Sequence, residues 1–435
     1  MKKYLAERGP KNLSEVPKIA ILCGGGGFRA MVYQSGVFCA LKDMGVLDCT
    51  MYATGLSGGN WFLSMLYSHP EWPMIHPEVM RKELRDILKD NWLMEKLFSP
   101  SWLLENILII EGKRKRGQPT SFTDLYGYLV GDVFRVKRKD VPKLSDQQRV
   151  VKDALVPFPI YNCIHVKTDV SAEAFAEWVE YTPYEIGLAK YGTFVKTEQF
   201  GNKFFCGKLV SSYKEPPIHF LEGCTGSVFA VYLQRFLDSG KSVEDTAEQK
   251  RIADDLMKEM QSGKMVVSDE TLPMGGTEGS DNEDEHWDDD ARAKKQLKEH
   301  DREKTGKEGF DWEALMEKYP VLKTREGRAG IVHNFLRGLQ LPSTPGPSES
   351  EPDQYSVTSK RMYLVDSGLH FADPYPMFLM TPQRAMDILL SFETAGRDTD
   401  DGMPFWDLLR AEEWAKKNNF KFPPLTPKNN SKSTA

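Results

Sequence analysis

Short apolar runs alternate with glycines and longer amphipathic stretches at the beginning of the chain. Residues 18–23 (KIAILC) predict a buried strand, and residues 28–44 predict a helix behind it. A second short strand, 51–54, is followed by another helix-like run that ends at Tyr67. Because the strand–glycine–helix order occurs twice, the pattern indicates an α/β sheet with helices packed on it.

The pattern becomes less regular farther along the chain. Residues 79–110 have apolar positions at roughly helical spacing, and residues 150–235 are rich in aromatic and β-branched side chains. Residues 265–308 are acidic and then mixed in charge, which predicts a mobile insertion or a solvated helix. Residues 342–356 are rich in proline and serine and predict a linker. Residues 362–366 (MYLVD) form a third candidate for a buried strand.

Composition and charge narrow the class of protein. The chain has 435 residues, enough for one large domain or two modules. Its net charge of −6 argues against a nucleic-acid partner. Six scattered cysteines include no C-x-x-C pair, so we expect reduced thiols and no zinc site. The first apolar run is too short for a signal peptide or a membrane span, so we expect a cytoplasmic protein.

A serine lies in the turn between the second strand and its helix. The sequence Gly55-Leu56-Ser57-Gly58-Gly59 fits the G-x-S-x-G pattern of a nucleophile elbow. Flanking glycines let the backbone turn sharply, and the helix N-terminus behind the serine favours developing negative charge. The pattern alone also fits a structural turn, but the strand before it and the helix after it favour a catalytic serine.

Four glycines, residues 24–27, follow the first strand. Backbone N–H groups of such a turn can point at one oxygen, as an oxyanion hole requires. The alternative is a dinucleotide loop, because Gly25-x-Gly27-x-x-Ala30 fits that fingerprint and Asp48 lies at a suitable distance to bind a ribose. The second glycine turn at Ser57 has no explanation in that alternative.

The acid that follows the third predicted strand is the candidate base. A triad of the α/β-hydrolase type needs a histidine after the acid, and His370, in the same segment as Asp366, is too close along the chain to complete it. A Ser57–Asp366 dyad is therefore the better hypothesis, with the carboxylate taking the serine proton and returning it to the leaving alcohol. Taken alone, Asp366 would be read as a turn residue.

These motifs together resemble the catalytic domain of the cytosolic phospholipase A2 family (group IV), which is related to the patatin lipases. The resemblance lies in Gly-Gly-Gly-Phe-Arg-Ala-Met at 25–31, Gly-Leu-Ser-Gly-Gly at 55–59 and Val-Asp-Ser-Gly-Leu at 365–369. Further matches occur in order over residues 19–425. The resemblance implies a patatin-like central sheet sandwiched by helices, with a cap or lid insertion.

The resemblance also implies roles for individual residues. Ser57 corresponds to the family nucleophile and Asp366 to the acid of the dyad. Gly26 and Gly27 correspond to the oxyanion-hole glycines, and Arg29 to the arginine that holds the substrate phosphate. Bidentate guanidinium chemistry suits that last role. No metal ligand and no cofactor is implied for this chain, because calcium serves the C2 domain of the family members that have one.

We therefore expect residues 18–425 to form the catalytic domain, preceded by a lead (1–17), followed by a polar tail (426–435), and without a C2 domain. The expected reaction is hydrolysis of glycerophospholipid acyl esters through an acyl-enzyme, at the surface of intracellular membranes. Lysophospholipase or acyltransferase activity uses the same steps. A catalytically inactive lipid-binding module is the other alternative, because the family region usually continues beyond residue 435. The sequence leaves the oligomeric state open.

Two basic clusters are candidates for membrane contact. Lys113–Arg116 and Lys137–Lys139, with Arg135 beside the second, could lie against an anionic lipid surface. Ordinary solvated faces are the alternative for both clusters.

Overall fold

A mixed nine-stranded sheet, flanked by helices, forms the centre of the molecule. The computed structural model describes residues 12, 15–89, 96, 99–135, 141–166, 177–227, 329–341, 354–394 and 406–425. Along the main path the strand order is β11-β1-β2-β3-β4-β5-β6, with β10 beside β3 and β9 beside β10. The fold confirms the α/β class that the sequence predicts.

The elements have the following bounds. The strands are β1 (Ile19–Cys23), β2 (Tyr52–Gly55), β3 (Phe158–Val166), β4 (Glu177–Tyr181), β5 (Glu185–Leu188), β6 (Thr193–Lys196), β7 (Lys203–Phe205), β8 (Lys208–Ser211), β9 (Gly330–His333), β10 (Arg361–Val365) and β11 (Ile388–Phe392). The helices are α1 (Gly27–Asp43), α2 (Gly58–Tyr67), α3 (Glu78–Lys89), α4 (Pro100–Lys115), α5 (Phe122–Phe134), α6 (Gln148–Val151), α7 (Ile218–Thr225), α8 (Gln354–Thr358), α9 (Pro376–Leu379) and α10 (Trp406–Lys417). Strands β7 and β8 form a separate antiparallel hairpin.

Strand β1 is buried on both faces, which explains its continuous apolar sequence. Ile21 and Cys23 belong to the core on one face of the sheet, whereas Ala20 and Leu22 belong to the core on the other face. Side chains alternate between the faces of a strand, so a single apolar run supplies both cores. The parallel strands β11, β1, β2 and β3 build this half of the sheet.

The arrangement around β3 determines where the site lies. Strand β2 runs parallel to β3 and pairs with its first residues, with Thr54 opposite Ile160. Strand β10 runs antiparallel to β3 and pairs with its last residues, with Val365 opposite Ile164. Because β4 occupies the other edge of β3, β2 and β10 share one edge and approach each other end to end. The residues that follow these two strands therefore come together.

The prediction that Arg135 belongs to a surface basic cluster is wrong. Its side chain is 2% exposed and donates two hydrogen bonds to the carboxylate of Glu222, a residue of α7. A buried guanidinium needs such a partner because an unpaired charge would not be tolerated in the interior. In the other cluster, Lys113 forms an ion pair with Asp124 at 2.6 Å and is only 18% exposed. Neither side chain is available to a membrane.

Other predictions fall partly or wholly outside the described residues. These are Lys137–Lys139, the insertion at 265–308, the tail at 426–435 and most of the lead at 1–17. The linker at 342–356 is described only from residue 354, where α8 begins. All six cysteines are described and unbridged.

Candidate active site

Ser57 lies in a strained turn between β2 and α2. Its backbone has φ 48° and ψ −117°, a conformation that costs energy for a residue with a Cβ. It occupies the N-cap position of α2, where serine side chains usually bond to the backbone, but this side chain makes no capping hydrogen bond. The hydroxyl, in a residue that is 6% exposed, is therefore left for another partner.

Glycines allow this turn to pack against its surroundings. A Cβ on Gly55 would lie 2.4 Å from the carbonyl carbon of Gly59, and a Cβ on Gly58 would lie 2.1 Å from the carbonyl oxygen of Gly27. Both distances are far below van der Waals contact. The elbow therefore touches the glycine loop after β1 directly, backbone against backbone.

Asp366 follows β10 and faces the elbow. Its Oδ1 accepts a hydrogen bond from the Gly368 N–H at 2.8 Å, and its own N–H donates to Ser227 Oγ at 2.9 Å. The first bond orients the carboxyl and the second fixes the backbone of Asp366, a residue that is 1% exposed. Oδ2 is buried without a hydrogen-bond partner among the described residues.

Burial raises the pKa of Asp366 to about 7, while hydrogen bonding from the Gly368 N–H and the Ser57 side chain acts in the opposite direction. Ser57 is thus close enough to influence the carboxyl, although Oδ2 lacks a hydrogen bond of full geometry. A base with a pKa near neutrality is both deprotonated and basic enough to take a proton at physiological pH. The carboxyl also affects the buried phenol of Tyr126. Burial raises the pKa of Tyr126, and the negative charge of Asp366 raises it further.

The glycine loop offers free amide groups beside the serine. The N–H of Gly24 donates to the Phe392 carbonyl at 3.1 Å, and the N–H of Gly25 donates to the Ala372 carbonyl at 2.9 Å. The N–H groups of Gly26 and Gly27 have no acceptor among the described residues. Gly26 (φ 141°) and Gly27 (φ 59°) have backbone conformations that favour glycine. They begin α1, whose dipole also favours an anion.

Arg29 extends over the same loop from the first turn of α1. Its Nη2 donates to the Thr394 carbonyl and would lie 3.0 Å from a Cβ on Gly26. Its Nε is buried without a hydrogen-bond partner, and no carboxylate of the described residues forms an ion pair with it. Burial lowers the pKa of Arg29. A half-buried guanidinium with unused donors is suited to bind an anion.

Asn162 joins the two halves of the site, and the sequence analysis missed it. Its Nδ2 donates to the Gly55 carbonyl, and its Oδ1 accepts from the Ser367 hydroxyl. The amide thus connects the residue at the end of β2 with the residue after Asp366. Asn60, in the first turn of α2, donates to the Asn162 carbonyl at 3.1 Å. The signal in the sequence is an isolated asparagine within the apolar run of β3.

The described histidines bind groups other than the proposed dyad. His370 Nδ1 accepts a hydrogen bond from Trp178 Nε1 at 3.1 Å. Burial, followed by the charge of Arg410, lowers the pKa of His370 to about 4, so the ring is neutral. The other described rings contact Glu83 (His69), Asp43 (His76), Glu177 (His165), Asp132 (His219) and Gly117 (His333).

One further feature bears on the dinucleotide alternative. Asp48, which a dinucleotide site would use, forms an ion pair with Lys42 at 2.7 Å. Within the described ranges, no group of three or more metal-ligating side chains is placed to hold an ion. None of the described helices combines the length and the apolar character required to cross a bilayer.

Comparison with known proteins identifies relatives over nearly the whole chain. A protein-family model described as the lysophospholipase catalytic domain matches residues 19–434. Human cytosolic phospholipase A2 zeta is 30% identical over 428 residues, which cover 94% of this chain and 45% of that protein.

Solved structures agree with this similarity. The structure of human GIVD cytosolic phospholipase A2 matches with a TM-score of 0.73 at 26% identity, covering 99% of this chain and 52% of that one. The same human protein in complex with methyl gamma-linolenyl fluorophosphonate matches with a TM-score of 0.63 and 26% identity, covering 99% and 48%. The chain thus spans about half the length of the relatives that it matches.

Proposed function

This chain belongs to the lysophospholipase catalytic domain family, and on that premise we propose that it is a serine hydrolase that cleaves acyl esters of glycerophospholipids. The observation that carries the proposal is the position of Ser57, in a strained elbow beside the buried carboxyl of Asp366. An ester hydrolase needs a nucleophile, a base and a place for the oxyanion. The site offers a candidate for each.

In the proposed reaction, Asp366 takes the proton of the Ser57 hydroxyl as Ser57 Oγ attacks the ester carbonyl. The new C–O bond gives a tetrahedral oxyanion. When the tetrahedral intermediate collapses, the C–O bond to the glycerol breaks. Protonated Asp366 then gives its proton to the leaving lysolipid alcohol. Water then attacks the acyl-enzyme, with Asp366 acting as base again, and releases the fatty acid and Ser57.

The free N–H groups of Gly26 and Gly27 are the proposed donors to the oxyanion. Amides that are already oriented stabilise developing charge without a cost of reorganisation at the moment of reaction. The contact between Gly58 and Gly27 supports this role, because it holds the glycine loop against the elbow. These steps use side chains and amides of the chain itself, so we expect catalysis to need no added calcium.

The substrate class follows from Arg29. Its unused donors face the loop that carries the proposed oxyanion donors, so a phosphate bound there would place an acyl ester of the same glycerol near Ser57. Phospholipids and lysophospholipids share this phosphate and are both proposed substrates. A human relative has been solved in complex with a fluorophosphonate. We propose that Ser57 reacts with such a phosphonylating reagent here.

The proposal is tested by incubating the purified chain with mixed phospholipid and lysophospholipid vesicles and identifying the products by mass spectrometry. We expect free fatty acid and the matching deacylated lipid. The Ser57→Ala variant should lose at least about a thousandfold in rate. A folded wild-type chain that releases no fatty acid from any of these lipids would refute the proposal and favour an inactive lipid-binding module.

A further inference from the structure

We propose that the β7–β8 hairpin is a membrane-docking wedge, which inserts Phe205, Leu209 and Val210 into the interface of an anionic phospholipid bilayer. The choice of partner rests on the proposed lipid-hydrolase function. The wedge itself is inferred from the exposure, the charge and the position of the hairpin.

The hairpin exposes apolar side chains that a water-facing turn would not require. Phe205, Leu209 and Val210 are 51%, 45% and 58% exposed. Leu209 and Val210 are neighbours on β8, so they point to opposite faces of the hairpin, and both faces meet solvent. An element with exposed apolar side chains on two faces is suited to enter a soft apolar phase. A flat protein interface would cover only one face.

The hairpin is also attached to the rest of the molecule, which holds the apolar side chains outward. Cys206 (φ 48°) and Gly207 (φ 73°) make the two-residue turn, with the left-handed backbone that tight hairpins use. The Cys206 N–H donates to the Arg337 carbonyl at 2.9 Å. Phe204, by contrast, is 7% exposed and belongs to the main core. The inward Phe204 anchors the hairpin and leaves its neighbour Phe205 outside.

The charge around the hairpin suits an anionic surface. Residues 199–214, which lie between Glu198 and Glu215, contain Lys203, Lys208 and Lys214 and no acidic residue, whereas the whole chain has a net charge of −6. None of these three lysines has an ion-pair partner among the described residues. The Arg337 guanidinium lies 5.6 Å from the centre of the Phe205 ring and adds a fourth cation. Basic residues around an apolar tip are attracted to anionic lipid headgroups.

The position of the hairpin is set by the sheet. Tyr213, just after β8, stacks on His333 with ring centres 5.7 Å apart. His333 is the last residue of β9 and lies opposite Arg361, the first residue of β10, in the β9–β10 ladder. Asp366 follows the other end of β10. The antiparallel register on β3 places Arg361 beyond Asp366 in the direction in which β2 points, by about 16 Å along the strand. The residues that follow the hairpin therefore lie beyond the end of β2, at the end of the sheet where Ser57 lies.

A second copy of this chain is the competing occupant, because exposed strand edges can pair. The hairpin strands are short, and Lys203 and Lys208 lie on them. Short edges and lysines are features that oppose edge-to-edge pairing. These features favour the lipid surface.

The experiment measures vesicle binding by co-sedimentation. The chain carries Ser57→Ala so that no lipid is hydrolysed, and the vesicles are phosphatidylcholine with 0 or about 30% phosphatidylserine. Adding Leu209→Ser and Val210→Ser should weaken binding to the anionic vesicles about tenfold or more. The matched control adds Leu155→Ser and Met74→Ser, which are 55% and 83% exposed elsewhere on the surface. The control should bind like the parent.

Charge is tested separately with the triple substitution of Lys203, Lys208 and Lys214 by Gln. It should weaken binding to anionic vesicles about 10- to 100-fold and should leave the weak binding to neutral vesicles unchanged. The control replaces Lys82, Lys89 and Lys416 by Gln and has the same net charge. An equal loss in both triple variants would show that net charge, and not the hairpin, drives binding.

The outcomes separate the inference from the proposed hydrolase activity. Normal vesicle hydrolysis together with unchanged binding of the Leu209/Val210 variant would overturn the wedge alone. Hairpin-dependent binding without hydrolysis would support the wedge and refute only the enzyme. If light scattering shows a wild-type dimer that the Leu209/Val210 variant converts to monomer, with lipid binding unchanged, the hairpin is an interface between copies and the inference is wrong.

Discussion

At the scale of single residues, the buried carboxyl of Asp366 governs the proposed chemistry. Its pKa is about 7 because burial outweighs the hydrogen bonds that favour the charged form. Only the deprotonated carboxylate can accept the proton of Ser57. We therefore expect kcat/KM on a soluble monomeric ester to rise with pH through about 7 and then to level off. A rate that is flat from pH 5 to 8 would rule out this group as the base.

The same pKa makes a prediction about stability. A carboxyl whose pKa is raised on folding destabilises the native state as pH rises from about 4 to about 7, and the full cost remains above that range. Asp366→Asn should therefore raise the free energy of unfolding by about 2–4 kcal/mol at pH 8 and by little at pH 4. Chemical denaturation at the two pH values measures this difference. The variant should lose nearly all activity, so that stability and activity change in opposite directions.

Arg29 is expected to discriminate between substrates. Its half-buried guanidinium has unused donors and no described carboxylate partner. Arg29→Ala should therefore reduce kcat/KM for a short-chain phospholipid about tenfold or more, because a charge-assisted hydrogen bond is lost. Hydrolysis of a neutral ester without phosphate should change far less. The control is Arg114→Ala, since Arg114 is 59% exposed and pairs with Glu111 on α4. Equal losses on both substrates would contradict the assignment.

At the scale of secondary structure, the contact between the elbow and the glycine loop is the critical packing feature. A Cβ on Gly58 would lie 2.1 Å from the Gly27 carbonyl oxygen, whereas a Cβ on Gly36, within α1, would meet nothing within 4 Å. Gly58→Ala should therefore separate the elbow from the loop, with loss of activity and of stability. Gly36→Ala should keep activity and stabilise α1 by about 0.5–1 kcal/mol. Thermal unfolding and esterase assays compare the pair.

The sequence predicts individual strands and helices better than it predicts which of them lie next to each other in the fold. The apolar runs before Ser57 and Asp366 predict strands, and β2 and β10 confirm them with shifts of one residue at their ends. That these strands approach end to end depends on their register along β3, which no local pattern contains. For the same reason the roles of Asn162 and Ser227, whose partners lie far along the chain, were not predicted.

The error at Arg135 has a related cause. Its neighbours in sequence are basic, so local composition indicates a surface cluster. Its partner Glu222 lies 87 positions away, and only the packing of α5 against α7 brings the two together. A charged residue can be buried when a partner of opposite charge is buried beside it. A basic residue in the sequence can therefore belong to a solvated face or to a core salt bridge, and the local sequence does not distinguish the two. Ser64 adds a hydrogen bond from α2 to the same carboxylate.

At the scale of the whole molecule, the sheet places the proposed chemistry and the proposed lipid contact toward the same end of its strands. The glycine loop follows β1, the elbow follows β2, and the residues that follow the hairpin lie beyond the end of β2. A lipid in a membrane surface could thus approach Ser57 without leaving the bilayer completely. The chain covers about half of the length of its human relatives.

The most direct test of the central claim is intact-mass spectrometry of the purified chain after treatment with an alkyl fluorophosphonate, followed by peptide mapping. We predict a single adduct on Ser57 with loss of esterase activity in proportion, no adduct in the Ser57→Ala variant and slow labelling of Asp366→Asn. The Ser64→Ala variant, which changes a buried serine on the same helix, should label like wild type. An unlabelled wild-type chain, or an adduct on another residue, would contradict Ser57 as the nucleophile.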